Sequence, residues 1–150
     1  MKEVQIRFIR EGELETLVEL CGLHAEFEKA AYDPAGKAER LRQYLFAKQP
    51  ALYALVAEVE GEVVGYATYM KQFATWDAGQ YLYMDCLFLR EAARGLGIGE
   101  QLIRRIQEEG KSLGCSLIQW QTPAFNQRAM KFYERIGAEG KSKERYFLEI

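Results

Sequence analysis

The spacing of apolar and polar positions changes several times along the chain, and each change marks an element boundary. Val4 to Ile9 alternates, which predicts a half-buried strand. From Glu13 to Lys29, Leu14, Leu17, Val18, Cys21 and Ala25 recur at helical spacing with acids on the other side, an amphipathic helix. Tyr32-Asp33-Pro34-Ala35-Gly36 interrupts the pattern as a loop. Lys37 to Lys48 resumes it as a second, shorter helix that stops before Pro50. Leu52 to Val59 and Glu62 to Met70 read as two strands joined at Glu60-Gly61, a hairpin signal. Phe73 to Gln80, which contains Thr75-Trp76-Asp77-Ala78-Gly79, reads as another turn. Tyr81 to Leu89 is a nearly unbroken, aromatic-rich apolar run of the kind that forms a buried strand. Beyond Gly99, Leu102, Ile103, Ile106 and Leu113 return to helical spacing, and Gly114 is a C-terminal stop. Ser116 to Gln121 predicts a buried strand, Thr122-Pro123-Ala124 a break, Phe125 to Ile136 a helix closed by Gly137, and Arg145 to Ile150 a last strand.

The resulting order, β-α-α-β-β-β-α-β-α-β, mixes hairpins with crossovers. The expectation is an α/β (mixed α+β) fold, with one central mixed β-sheet flanked by helices. No internal repeat, low-complexity stretch or linker interrupts the 150 residues, so a single domain spanning 1–150 is expected.

Composition narrows the function. With 49% hydrophobic and 28% charged residues the chain reads as a soluble globular protein. A formal net charge of −2 speaks against a nucleic-acid partner, whose electrostatic footprint is basic. No signal peptide and no run of about 18 apolar residues is present, so no membrane partner and a cytoplasmic location are expected. The charge is unevenly spread: Glu11 to Glu28 holds acids without a single Lys or Arg, whereas the C-terminal third is basic. Such a division suits a cationic substrate and an anionic cofactor, and it equally suits solvated helix faces. Cys21, Cys86 and Cys115 are widely spaced in apolar contexts, as small hydrophobes of a reduced compartment are, with neither a disulfide framework nor a metal pair. His24 is the only histidine, which excludes a His-rich metal site and leaves a surface or core role as its default.

The most informative stretch is Asp85 to Gly99, where the apolar strand turns through Arg90 to Ala93 into Arg94-Gly95-Leu96-Gly97-Ile98-Gly99 and opens a helix. A glycine loop at a helix N-terminus is an anion site, because unpaired N–H groups point outward and the helix dipole favours negative charge. Arg94 adds a positive fork. The loop lacks the Lys and Ser/Thr of a Walker sequence. It also fails the Gly-x-Gly-x-x-Gly dinucleotide pattern, since Leu102 stands three residues after Gly99 and no acid closes the next strand. The alternative is a glycine turn that packs helix on strand.

Arg-Gly-x-Gly-x-Gly after a strand ending Leu-Phe-Leu resembles the pyrophosphate loop of the GNAT superfamily of acetyl-CoA-dependent N-acetyltransferases. A second constellation, Asn126-x-x-Ala129-x-x-Phe132-Tyr133-x-x-x-Gly137, looks like the second signature of that superfamily. Two helical turns bring Asn126 and Tyr133 to nearly the same face. Taken alone, Tyr133 would read as a core anchor with a satisfied hydroxyl.

The resemblance implies a GNAT fold and acetyl-CoA as co-substrate, with no metal. It places the cofactor along Leu87, Phe88 and Leu89, on Arg94, Gly95, Leu96, Gly97, Ile98, Gly99 and Glu100, and against Asn126, Ala129 and Tyr133. Tyr133 is then the proton donor near the thioester sulfur. Backbone N–H groups near Leu87 to Leu89 would serve the carbonyl oxygen and the pantetheine amides if a bulge frees them. Asp85 stands in an apolar strand, where an unpaired buried charge is costly. It is either a carboxylate facing a cleft, able to hold or deprotonate an amine, or the partner of an arginine on a neighbouring strand.

Over nearly its whole length the chain is most similar to the spermidine/spermine branch, which includes thialysine acetyltransferases. That likeness implies substrate contacts at Phe27, Glu28 and Asp85, more loosely at Glu144, and a homodimer. Asp85 is a methylene shorter than the branch's Glu, and Phe27 replaces a Tyr. Transfer to a small cationic amine therefore carries over better than spermidine itself. Acetylation of a peptide or protein amine, or acyl-CoA binding without chemistry, stand as alternatives.

Overall fold

Residues 2–150 are described by a computed structural model. Five strands form one sheet in the order β1-β2-β3-β4-β5: β1 Val4–Phe8, β2 Tyr53–Val59, β3 Glu62–Ala74, β4 Gly79–Leu89 and β5 Ile118–Gln119. The first four are antiparallel neighbours and β5 joins β4 in parallel. Helices are α1 Leu14–Phe27, α2 Lys37–Leu45, α3 Ile98–Ser112 and α4 Gln127–Arg135, with single 3-10 turns at Glu11–Glu13 and Glu91–Ala93. The chain divides into two compact units, Met1–Trp120, which carries the sheet with α1 to α3, and Gln121–Ile150, which carries α4.

Strand alternation gives the first unit two cores, because successive side chains leave a strand on opposite faces. Ala54 and Val56 of β2 join Leu14, Leu17 and Leu20 of α1, Leu45 of α2, Tyr66 and Phe88 in one cluster. Leu55 and Ala57 lie on the other face, where α3 buries Leu102, Ile103 and Ile106. Leu20, Leu55, Tyr66, Leu82, Leu102 and Ile106 are at most 1% exposed. Each contributes about 1.5–3 kcal/mol relative to remaining in water. Gly110 lets α3 lie close on β4, since a Cβ there would stand 3.0 Å from Leu82 Cδ1.

The sequence reading needs five adjustments. The helix over Glu13 to Lys29 ends at Phe27, and Lys29 takes a left-handed φ of 60°. The second helix stops at Leu45 rather than Lys48. The turn expected from Phe73 to Gln80 shrinks to four residues, because β3 and β4 extend their hairpin from Ala74 to Gly79 once ladder bonds are available. The strand expected over Ser116 to Gln121 is only Ile118–Gln119, and it is not buried: Ile118 is half-buried and Gln119 exposed. The last strand, Arg145 to Ile150, does not form. A strand needs a neighbour for its N–H and C=O groups. This segment has none among the described residues, and Tyr146, Phe147, Leu148 and Ile150 stand exposed.

Candidate active site

The glycine loop is built as an open nest. Gly95 and Gly97 take φ of 78° and 81°, the left-handed region that L side chains avoid. Gly97 caps α3 without a side-chain hydrogen bond, and the first bond back to it comes from the Gln101 N–H at 3.2 Å. The earlier amides of Ile98, Gly99 and Glu100 precede that bond and point out of the helix end. Leu96 is 68% exposed, whereas Ile98 and Gly99 are buried and fix the loop to the core. Glu100 turns back along α3 to Arg104 at 3.3 Å. A Cβ at Gly95 or Gly97 would meet nothing within 4 Å. These glycines therefore serve backbone conformation and open access, not helix-on-strand packing, and the loop fits a pyrophosphate.

On β4 the route to this nest is exposed backbone. Pairing with β5 covers only Leu82 and Tyr83. The Arg90 N–H reaches the Val64 carbonyl of β3 at 2.8 Å, so alternation turns Cys86 and Phe88 toward β3 as well. Leu87 and Leu89 are left facing the edge where β5 no longer pairs. Their amides are thus freed by the short β5 rather than by a bulge at that point. Phe88 is 7% exposed and its ring belongs to the α1 core. Its sequence-predicted cofactor contact has neither a free amide nor an exposed ring behind it.

A bulge does occur in β4, at Asp85. Thr68 and Tyr69, adjacent on β3, face Cys86 and Met84, so Asp85 is the unmatched residue. It is exposed, which removes the burial cost that its apolar neighbours suggested. No arginine pairs with it among the described residues; the Cys86 Sγ donates to its Oδ2 at 3.7 Å. The bulge also swaps faces. Leu82 and Met84 lie under α3, whereas Cys86 and Phe88 lie under α1.

The C-terminal end of α1 gathers several predicted residues. Phe27, 46% exposed, meets Phe88 edge-on at 6.3 Å. Arg94 donates its Nε to the Leu89 carbonyl at 3.0 Å and lays its guanidinium 4.6 Å from the Phe27 ring and 5.3 Å from Phe88. The expected fork beside the nest is therefore anchored to β4 and to the aromatic pair. Glu28, at the C-cap, bonds His24 Nε2 at 2.7 Å, and His24 Nδ1 meets the Tyr66 hydroxyl at 2.9 Å. Burial pushes the Tyr66 hydroxyl far above its ordinary range, and the Cys86 thiol up to about 12. His24 was missed as a candidate. Its spacing of four from Glu28 on a predicted helix was the available signal.

In the second unit Asn126 is the N-cap of α4, where its Oδ1 accepts from the Ala129 N–H at 3.2 Å. Asn126 and Ala129 are half-buried, as is Tyr133, whose ring meets Phe132 at 5.3 Å. Glu144 is exposed in the irregular segment after α4. Among the described residues no group of three or more His, Cys, Asp or Glu is arranged to hold a metal ion. No helix is long and apolar enough to cross a membrane.

Comparison with known proteins gives one family. The model of the Acetyltransferase (GNAT) family matches residues 17–138. A thialysine N-epsilon-acetyltransferase of Bos taurus is 33% identical over 93% of this chain and 86% of its own length. The spermidine/spermine N(1)-acetyltransferase-like protein 1 of Homo sapiens is 26% identical over 96% of this chain, which is 22% of that protein. Among solved structures, the aminoglycoside N-acetyltransferase AAC(6')-Iy in complex with CoA superposes with a TM-score of 0.83 at 18% identity, covering 99% of this chain and 96% of that one. That last likeness carries the fold. A glycine nest at the start of α3, open β4 amides leading into it and a family match across most of the chain agree: this is an acyltransferase of the GNAT acetyltransferase family.

Proposed function

We propose that the chain is an acetyl-CoA-dependent N-acetyltransferase for the primary amine of a small cationic substrate, a polyamine, diamine or lysine-like amine. The observation that carries this reading is the layout of β4. An exposed carboxylate, Asp85, stands at a bulge just before the open-edge amides of Leu87 and Leu89 and the glycine nest. The relatives named as thialysine acetyltransferases support the amine class.

When bound, acetyl-CoA supplies an acyl thioester. The Arg94 to Glu100 loop would hold its pyrophosphate, and the Leu87 and Leu89 amides would hold its arm and polarise the acyl oxygen. Alkylamines are protonated at pH 7, with a reference pKa of about 10.4 for Lys, and must lose a proton before attack. Asp85, directly or through a water, attracts the ammonium and accepts that proton. The Tyr133 hydroxyl would supply a proton to the thiolate that the thioester releases to the amine's attack. Asn126, on the same face of α4, would steady the arm. Phe27, Glu28 and Glu144 complete the proposed amine contacts, with Glu144 the least supported because it lies in an exposed irregular segment. The family match runs through both compact units, which supports one catalytic domain over 1–150. A cytoplasmic homodimer completes the reading, and light scattering of a fully active monomer at micromolar concentration would remove the dimer.

The test is a CoA-release assay with acetyl-CoA and a panel of 1,4-diaminobutane, spermidine, lysine, thialysine, kanamycin and a lysine peptide. Diamines or lysine-like amines should be preferred, and Asp85→Asn should raise their KM and lower kcat. Turnover of the peptide or kanamycin alone would overturn the assignment.

A further inference from the structure

We propose that His24 is a positioning residue that fixes the Glu28 carboxylate as the seat for the second cationic group of a diamine-type substrate. This rests on the amine-acetyltransferase reading above. An ordinary helix-surface ion pair is mobile and contributes little. His24 is held differently. Its ring stacks on Phe88 at 5.1 Å with an interplanar angle of 20°, and both ring nitrogens are engaged. The His24 side chain is 14% exposed and that of Glu28 is 35% exposed, so the anchor is half-buried while the carboxylate it holds is more open.

With one proton on the His24 ring, the nitrogen that faces the carboxylate carries it, which sets the polarity of this network. The thiols of Cys21 and Cys86 both reach the Tyr66 hydroxyl. Burial keeps both thiols and the hydroxyl protonated. The Cys86 thiol is committed to Asp85, so the chain of donors starts at Tyr66: its hydroxyl can donate to His24 Nδ1, and His24 Nε2–H to Glu28 Oε2. That sequence leaves Glu28 Oε1 uncommitted at the C-terminal end of α1, where the helix dipole favours a cation. Cys86 also contacts Asp85. Glu28 and Asp85 are therefore the two ends of one chain of contacts through His24, Tyr66 and Cys86. Two carboxylates linked in this way suit a substrate with two positive groups, Asp85 taking the reacting amine and Glu28 the distal one.

The experiment compares 1,4-diaminobutane with butylamine in the CoA-release assay. His24→Leu should raise the ratio of their KM values about tenfold, the scale of a lost charge-assisted contact, with kcat for the diamine within about threefold. Glu28→Gln should raise the same ratio, and the double variant should add nothing further. His24→Gln, which retains a donor for Glu28, should recover part of the effect. Because His24 is the only imidazole, long-range nitrogen–proton NMR of the unmodified protein reads its state directly. The expected result is a fixed Nε2–H tautomer whose signals move on addition of 1,4-diaminobutane, and this reading stands even if His24→Leu fails to fold. An unchanged KM ratio in a folded His24→Leu enzyme, or an Nδ1–H or averaged tautomer, overturns the proposal while leaving amine acetylation intact. Absence of CoA release with either amine in the wild-type enzyme overturns the underlying reading instead.

Discussion

Gly65→Ala adds a single methyl group at the tightest backbone approach near the site. Gly65 of β3 is the register partner of Leu89 on β4. A Cβ at this position would run into the Leu89 Cδ2 atom and stand 2.7 Å from the Phe88 carbonyl oxygen. Leu89 can rotate its side chain away, but the carbonyl is backbone. An ordinary carbon–oxygen contact is about 3.3 Å, so β4 must move by roughly 0.6 Å. Overpacking of this kind costs about 1–3 kcal/mol, and at about 2–4 °C per kcal/mol for a chain of this size the Tm should fall by about 2–12 °C. The displaced segment carries the Leu89 carbonyl that anchors Arg94 and the amides leading to the nest. A displacement of that order in a positioning element costs roughly tenfold or more in rate. Calorimetric melting, acetyl-CoA titration and the CoA-release assay should therefore all shift together. Gly12→Ala is the matched control, since its Cβ meets nothing within 4 Å. A Gly65→Ala protein with the wild-type Tm and kcat/KM would refute the reasoning.

Gly97→Val places a β-branched residue at a φ of 81° in the nest. Acetyl-CoA affinity by calorimetry should fall at least tenfold with the fold retained, and unchanged affinity in a folded variant would move the pyrophosphate elsewhere. Tyr133→Phe should lower kcat by about 10²–10⁴-fold, towards the low end because thiolate is a fair leaving group, with acetyl-CoA affinity little changed; wild-type kcat across pH 6 to 9 would return Tyr133 to a packing role. The hydrogen bond from Arg7 holds the Glu13 carboxyl below its ordinary value of 4.5. The stability this supplies is present above that value and is lost as pH falls through the lowered one. Arg7→Met should make melting temperature flatter between pH 5 and 3 and cost about 3 kcal/mol near neutrality, because Glu13 and Glu58 lose their shared partner; identical pH profiles would exclude the pair as a source of acid sensitivity.

The glycine loop was legible because its information is local: left-handed glycines and an uncapped helix start are consequences of Gly95 and Gly97 themselves. The helices α1 and α3 were legible through their period. Three features were not. Arg145 to Ile150 has strand-like composition, but a strand depends on a partner that composition does not supply. Asp85 looked buried because a run of apolar neighbours does not reveal a bulge, which is a property of how two strands count against each other. His24 looked incidental because its meaning lies in Tyr66 and Phe88, distant in sequence and on other strands.

The extra residue in β4 has a consequence for what kinds of change this chain can absorb. Upstream of Asp85 the strand feeds the core beneath α3, and downstream it feeds the core beneath α1. The two halves are in different phase, and the bulge sets the offset. Replacing Asp85 alters a charge and leaves that phase untouched, so its chemical role can drift from one side chain to another. Deleting it, or inserting a neighbour beside it, would rotate Cys86 and Phe88 toward α3 and strip His24 of its platform. At this position chain length is the stricter inheritance, and side-chain identity the freer one.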